Sequence, residues 1–441
     1  MKWILGALAF LVVGLVFQLG LLVYAMYVLL GVLIVSRFLA REWTTNISAW
    51  RDCHATALQI GEKATVMVTV QNRGALPIPW LLLEDSLPLN AQTQRPPRLH
   101  ATGEWLSVAQ LAPRGQRILE YELTFLVRGY YQFGPLLVES GDLFGLHRRY
   151  RVLTEPHFIL VYPKVVPLEG YDLASRRPIG EVRITHRLFE DPTRISGVRQ
   201  YQLGDPMNRV HWRATARMGA LHSKTYDPSC VAGATVLLDF HRDSYRGESA
   251  AYRSELAVTT AASLANAVYE MGQQVGFVTN GRDAADRIRE EGWRHGFRTR
   301  SAAHANVGMR ERSDRLQPVV VETRRGVEQL MRILETLARV ELTDGLTFPQ
   351  LVLETESRLP RDTTVIAVMN EINEQAAIAL GGLRRGGFAV TAILIIFGDR
   401  EYQDWAQPPE WAGRLLAEGV EFRQVRDEAT LARVCAEQLA R

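Results

Sequence analysis

The 441 residues carry 51 Lys and Arg against 48 Asp and Glu, a formal charge of +3, and are 47% hydrophobic, 22% charged and 9% aromatic. This balance excludes a disordered chain, which lacks the apolar surface to build a core, and a protein that coats nucleic acid through bulk positive charge. Cys53, Cys230 and Cys435 are too few and too scattered for a disulfide framework or a zinc pattern, and they fit a reducing compartment.

At roughly 150 residues per domain, the length predicts about three units. The first feature is apolar. From Trp3 to Ser36 there is no charged side chain, and Gln18 is the only strongly polar one. A single helix of that length would reach roughly 50 Å, against a hydrocarbon core of about 30 Å. The stretch therefore predicts a transmembrane helical hairpin over residues 1–41, turning near Gln18-Leu19-Gly20. Lys2, Arg37 and Arg41 then share one side, the cytoplasmic side of a cell inner membrane by the positive-inside bias. A signal peptide is the competing reading, but its apolar region spans only about 7 to 15 residues.

Residues 42–168 change to period two. Thr65-Val66-Met67-Val68-Thr69-Val70 alternates, and Leu119, Tyr121, Leu123, Phe125 and Val127 share one face of a second strand. Pro and Gly punctuate the remainder, so the segment reads as an antiparallel β-sandwich with one wet face per sheet.

Residues 169–232 form a basic linker. Nine arginines and four acids lie between Arg176 and Arg217. Within it, Asp205 suits an N-cap, Pro206 the first helical position and Gly219 a left-handed C-cap. On such a helix Arg209, Arg213 and Arg217 line an exposed stripe, while Val210, Ala214 and Met218 face inward. The stripe serves either as a docking surface for an acidic partner, with His211 and Trp212 at its edge, or as a solvated face paired with neighbouring carboxylates. No groove-reading module accompanies it, which argues against nucleic acid.

From Ala234 the pattern alternates between buried strands and helices, predicting a mostly parallel α/β domain over 233–441 with an arginine-rich insertion at 281–317. Ligands of such sheets sit at the carboxyl ends of the strands, and Asp239 ends the first strand. Asp239, Asp243 and Ser244 supply oxygens that suit a hard cation such as Mg²⁺; alternatively Asp239 caps the loop that follows. His241 is a poor ligand for such an ion, and no phosphate loop or nucleophile elbow is present. No catalytic residue is assigned.

The order of these parts resembles domain-of-unknown-function family 58. The likeness rests on Arg199, Tyr201, Gly204-Asp205, Arg209, His211-Trp212 and Ala216-Arg217, together with Arg128-Gly129-Tyr130, Gly141-Asp142-Leu143-Phe144-Gly145-Leu146 and Val161-Tyr162-Pro163. The resemblance implies a membrane-anchored protein with an immunoglobulin-like or related sandwich and a C-terminal von Willebrand factor A-like domain. It also implies a MoxR-type AAA+ ATPase as partner, an unidentified protein client and no established enzymatic activity. Arg199, Tyr201, Asp205, Arg209, His211, Trp212, Arg213 and Arg217 then become the partner-binding set. His241 and Asp243 replace the serines of the A-domain Asp-x-Ser-x-Ser motif, and Asn370 stands where an Asp is favoured, which puts Mg²⁺ binding in doubt. The expected function is a protein-binding adaptor; a structural or adhesive envelope protein and a metal-dependent hydrolase are the rival expectations.

Overall fold

The computed structural model describes residues 2–88, 91, 97–142, 147–168, 195–201, 207, 210–226, 233–247, 249–284, 316–360, 363–396, 413, 415 and 417–435. Helices α1 (Lys2–Val16) and α2 (Gly20–Thr45) open the chain. Eleven strands follow: β1 (Ile47–Asp52), β2 (Ala57–Leu58), β3 (Lys63–Asn72), β4 (Ile78–Asp85), β5 (Leu99–Gly103), β6 (Leu106–Leu111), β7 (Gln116–Phe125), β8 (Gly129–Phe133), β9 (Leu136–Gly141), β10 (Arg148–Val152) and β11 (His157–Val161). Next come β12 (Ile195–Gln200), α3 (Trp212–Met218), β13 (His222–Tyr226), β14 (Gly233–Leu238), α4 (Ala250–Glu270), β15 (Gln274–Thr279) and β16 (Arg282–Asp283). The chain continues through β17 (Val319–Arg324), α5 (Val327–Arg339), β18 (Val340–Glu341), α6 (Phe348–Thr355), β19 (Thr363–Met369), α7 (Glu374–Arg385), β20 (Ala389–Ile395), β21 (Glu421–Val425) and α8 (Glu428–Ala432). They fall into two compact units. The first comprises Met1–Val165, Gly281–Gln317 and Leu334–Gly345; the second comprises Val166–Asn280, Pro318–Ile333 and Leu346–Arg441. Of the arginine-rich insertion, 285–315 lies outside the described residues.

In the first unit the helices reverse where the sequence predicts, with Gln18 in the left-handed region at φ 52. Helix α2, 26 residues long, is apolar and long enough to cross a bilayer. Helix α1, at 15 residues, reaches only about 22 Å, short of the roughly 30 Å hydrocarbon core. The outer end of α2 is fastened to the sandwich. Leu33, Ala40 and Trp43 are buried, and Ser36 Oγ lies 3.0 Å from His147 Nδ1. Arg151 donates to the carbonyls of Thr44 and Thr45, acceptors that a helix end leaves open, and to that of Ile47 at the start of β1.

Two four-stranded antiparallel sheets, ordered β1-β3-β7-β5 and β10-β9-β4-β6, share one core, and β2-β11-β8 forms a third sheet. The alternation read from the sequence sets which faces are buried. Ala64, Val66, Val68 and Val70 of β3 point into the core with Leu119, Tyr121, Leu123 and Phe125 of β7, while Lys63, Thr65 and Met67 face out. Arg128, buried at the start of β8, donates to the carbonyls of Leu337 and Val340 at 2.7 and 2.9 Å.

One polar cluster crosses between the two sheets. Asp85 at the end of β4 is fully buried and ion-paired with Arg51 of β1, and it accepts a 2.6 Å hydrogen bond from Tyr121 Oη of β7. Burial and the neighbouring Asp85 carboxylate push the Tyr121 phenol well above its ordinary pKa, so it stays protonated and donates to Asp85. Gly134, at φ 72, passes so close to the Arg51 guanidinium that a Cβ there would overlap it. Asp85→Ala leaves a buried guanidinium uncompensated and is expected to cost about 3–5 kcal/mol, against about 1.5–3 kcal/mol for Tyr121→Phe, which removes one bond to a charged group. Denaturant midpoints of the two variants check this order, and equal losses would refute the clamp.

The second unit holds a six-stranded sheet ordered β17-β15-β14-β19-β20-β21. Strands β15, β14, β19, β20 and β21 are parallel, and only the edge strand β17 runs against them. Residues of β14 and β19 are buried along their whole length, as strands covered on both faces must be. Strand β17, an edge made from Val319, Val320 and Val321, was not legible as a separate strand beside the insertion. A two-stranded antiparallel ribbon, β12-β13, carries α3 in what the sequence presents as a linker.

Candidate functional site

The order of the six-stranded sheet reverses direction between β14 and β19, and ligands of open α/β sheets bind at such a switch point, beyond the carboxyl ends of the strands. Asp239 follows β14 there, Asn280 follows β15 and Asn370 follows β19. Asp239 is 2% exposed. Its Oδ1 accepts from Asn280 Nδ2 at 2.9 Å and from the His241 amide at 3.2 Å, and its Oδ2 accepts from Ser244 Oγ at 2.7 Å. Tyr245 Oη donates to the Asp239 carbonyl at 2.9 Å. Asn280 works in both directions, accepting from the Phe240 amide at 2.7 Å and donating to the Leu346 carbonyl at 2.8 Å. Asn370 Nδ2 donates to the Ser244 carbonyl.

These contacts are those of a hydrogen-bonded hub. Burial raises the Asp239 pKa, against the lowering effect of the bonds from Ser244, Asn280 and the His241 amide. Asp243, the other predicted carboxylate ligand, faces outward and pairs with Arg246 at 2.9 Å. His241 Nδ1 accepts from the Asp243 amide at 3.2 Å. Both Asp239 oxygens accept from protein donors, and Asp243 pairs with Arg246 in solvent. Among the described residues no group of three His, Cys, Asp or Glu side chains is placed to hold a metal. Asp239 and Ser244 are thus brought together as a hydrogen-bonded pair, while Asp243 bonds to neither; all three line a cavity of about 300 Å³, as do His241, Phe348 and Glu371. Asn280 and Tyr245 were missed, whereas Asn370 was noted at its strand end and the structure adds its bond to the Ser244 carbonyl. The signal for Asn280 was a polar residue closing a buried strand, the same signal that marked Asp239.

The ribbon places the partner-binding set. Arg199 of β12 pairs with Ser223 of β13, and the Tyr201 amide donates to the Leu221 carbonyl at 2.8 Å. Helix α3 begins at Trp212, and its N-cap is His211, whose Nδ1 accepts from the Ala214 amide at 3.0 Å. This corrects the expected start at Pro206: Val210 is extended and bridged to Ser223, so the helix cannot run back through it. Asp205, Pro206 and Arg209 lie outside the described residues. Gly219 closes the helix in the left-handed conformation at φ 67, as predicted. The His211 amide donates to the His222 carbonyl at 2.8 Å, and the His222 amide donates to Thr215 Oγ1 at 3.1 Å. That fastening turns Ala214 and Thr215 toward β13. Val210 is buried as expected, but Met218, expected inward, lies beyond the fastened turn and is 69% exposed. Arg213, Arg217 and Trp212 are exposed.

A family model described as "Protein of unknown function DUF58" matches residues 197–342, which include the ribbon and the ends of β14 and β15. The uncharacterized protein YeaD of Bacillus subtilis (strain 168) is 24% identical over 288 residues, 64% of this chain and 69% of that protein. Among solved structures, the CARDB domain of the PF1109 protein from Pyrococcus furiosus is 15% identical and covers 26% of this chain and 91% of its own, with a TM-score of 0.16. The ASH/PapD-like domain of human CEP192 is 12% identical and covers 25% and 82%, with a TM-score of 0.17. Neither structural likeness is close enough to bear on function.

An acid whose pKa is raised on folding contributes most to stability below its unfolded pKa, and that contribution is lost as pH rises through the folded value. Asp239→Asn, isosteric and neutral, is expected to remove this dependence. Above pH about 4, the wild-type chain should lose stability relative to the variant. Denaturant midpoints of both chains between pH 4 and 7 test it, and parallel profiles would refute a raised Asp239 pKa.

Proposed function

We propose that the chain is a membrane-anchored adaptor that acts by binding protein, working with a MoxR-type AAA+ ATPase in the maturation or remodelling of a protein client. The observation that carries the reading is the ribbon, which presents Trp212 beside Arg213 and Arg217 in solvent. Such a combination is characteristic of interface anchors, where aromatic and arginine side chains supply most of the energy. The strand-end site supports binding over catalysis. Ser244 donates its hydroxyl proton to Asp239, and His241 Nδ1 accepts from a backbone amide.

The second unit is a von Willebrand factor A-like domain without a working cation site in this reading. The sheet order, with a single antiparallel edge strand, supports that assignment. Helices α1 and α2 form the anchor in the inner membrane. Lys2, Arg37 and Arg41 favour a cytoplasmic placement of the remainder.

Affinity capture of the full-length chain from its native membrane, with and without ATP, tests the reading by mass spectrometry. Recovery of a MoxR-type ATPase is expected. Arg213→Glu combined with Arg217→Glu should lower that recovery by about tenfold with unchanged melting, because charge complementarity governs encounter and selectivity. Reproducible absence of the ATPase in both nucleotide states would sink the proposal and favour the envelope alternative.

A further inference from the structure

The ribbon combines charge and apolar surface in a way that narrows what can dock on it. Residues 195–226 contain five basic side chains, Arg199, Arg209, Arg213, Arg217 and Lys224, against one acid, Asp205. Within the same stretch Trp212 is 65% exposed, Met207 63%, Met218 69%, and Val198 and Leu221 42% each. Five large apolar side chains are thus left in water on a short element that an isolated two-stranded ribbon supports. Burying apolar side chains of this kind is favourable, so the surface stands to gain from being covered.

The helix arranges these groups in two ridges. At about 100° per residue, Trp212 and Ala216 stack one turn apart along one ridge, and Arg213 and Arg217 stack along the ridge beside it. Ala214 and Thr215 are the half-buried positions, on the side fastened to His222. The apolar ridge is therefore one indole followed by a methyl group, which leaves a notch next to Trp212. Met218, six residues from Trp212, lies about 120° round the helix from it, so the helix has no single broad apolar face of the kind that lies in a bilayer surface. The ridge suits a second helix, whose side chain can enter the notch while its carboxylates face the arginines.

We infer that the ribbon receives an acidic amphipathic helix of a partner protein, one that carries two Asp or Glu residues a turn apart beside large apolar side chains. The inference rests on the adaptor reading for the occupant being a protein, and it adds the chemistry by which that protein is recognised. Trp212 supplies the buried anchor. Arg213 and Arg217 align the incoming helix and reject basic segments, since exposed ion pairs contribute little energy of their own but strongly affect encounter.

The test places a photo-crosslinker in the anchor position, Trp212→p-benzoylphenylalanine, in the full-length chain in its native membrane. Irradiation is followed by sequencing of the cross-linked peptides. The expected product is a protein segment with an Asp/Glu pair three or four residues apart among large apolar residues. Its yield should fall by about tenfold when Arg213→Glu and Arg217→Glu are added, with melting unchanged. A cross-link to lipid would overturn the inference in favour of the bilayer surface. A cross-link to a segment without the acidic pair, a yield insensitive to charge reversal, or no cross-link from a chain that melts like wild type would also overturn it. The same digest separates this inference from the adaptor reading. An acidic helix from a protein other than the ATPase sustains the surface chemistry and removes the ATPase, whereas an ATPase segment lacking the acidic pair does the reverse.

Discussion

The carboxyl group of Asp239 has to be buried at the one place in the α/β sheet where the strand order reverses, and the surrounding architecture answers that requirement. Among the described residues no lysine or arginine forms an ion pair with it. Its oxygens are met instead by neutral donors from three directions: an amide side chain at the end of the next strand, a hydroxyl five residues on and a backbone amide in the intervening turn. A buried carboxylate without a countercharge is costly unless hydrogen-bonded, and its pKa then rises. Asn280 holds more than the acid, because it also ties Phe240 and Leu346 to the same point. The turn from His241 to Tyr245 is closed by the bonds that satisfy Asp239. The strand ends thus form a hydrogen-bonded platform.

The sandwich buries its own aspartate by the opposite means. Asp85 is matched by the full charge of Arg51 and by the Tyr121 hydroxyl, and the three residues come from both facing sheets. In each unit one polar hub joins segments distant in sequence, where an apolar core alone would leave their registration less specific.

The ribbon stands apart from both hubs in its physics. Its helix has no buried face of any size and is held by a histidine cap, a glycine stop and two bonds to His222. What such an element presents is surface: tryptophan, methionine and arginine in water. In the adaptor reading, the platform at the strand ends stabilises the unit and the ribbon makes the contact.

Patterns with a period were legible in the sequence: the apolar run and its turn at Gln18, the alternation of β3 and β7, and the strand and helix succession from Ala234. Each follows from local repetition of apolar residues, which secondary structure reads directly. Single-position signals fared unevenly. Gly219 stopped the helix because only its own φ was at issue, whereas the helix start depended on Val210 being drawn into a bridge with Ser223, thirteen residues away. The fate of Asp239 was likewise settled by Asn280, which reaches it only because parallel pairing brings the strand ends together, as it brings Asn370 to the Ser244 carbonyl. Local chemistry determined which residues were available for the site. Tertiary pairing decided which of them met, and so turned a set of oxygen ligands into a closed hydrogen-bond network.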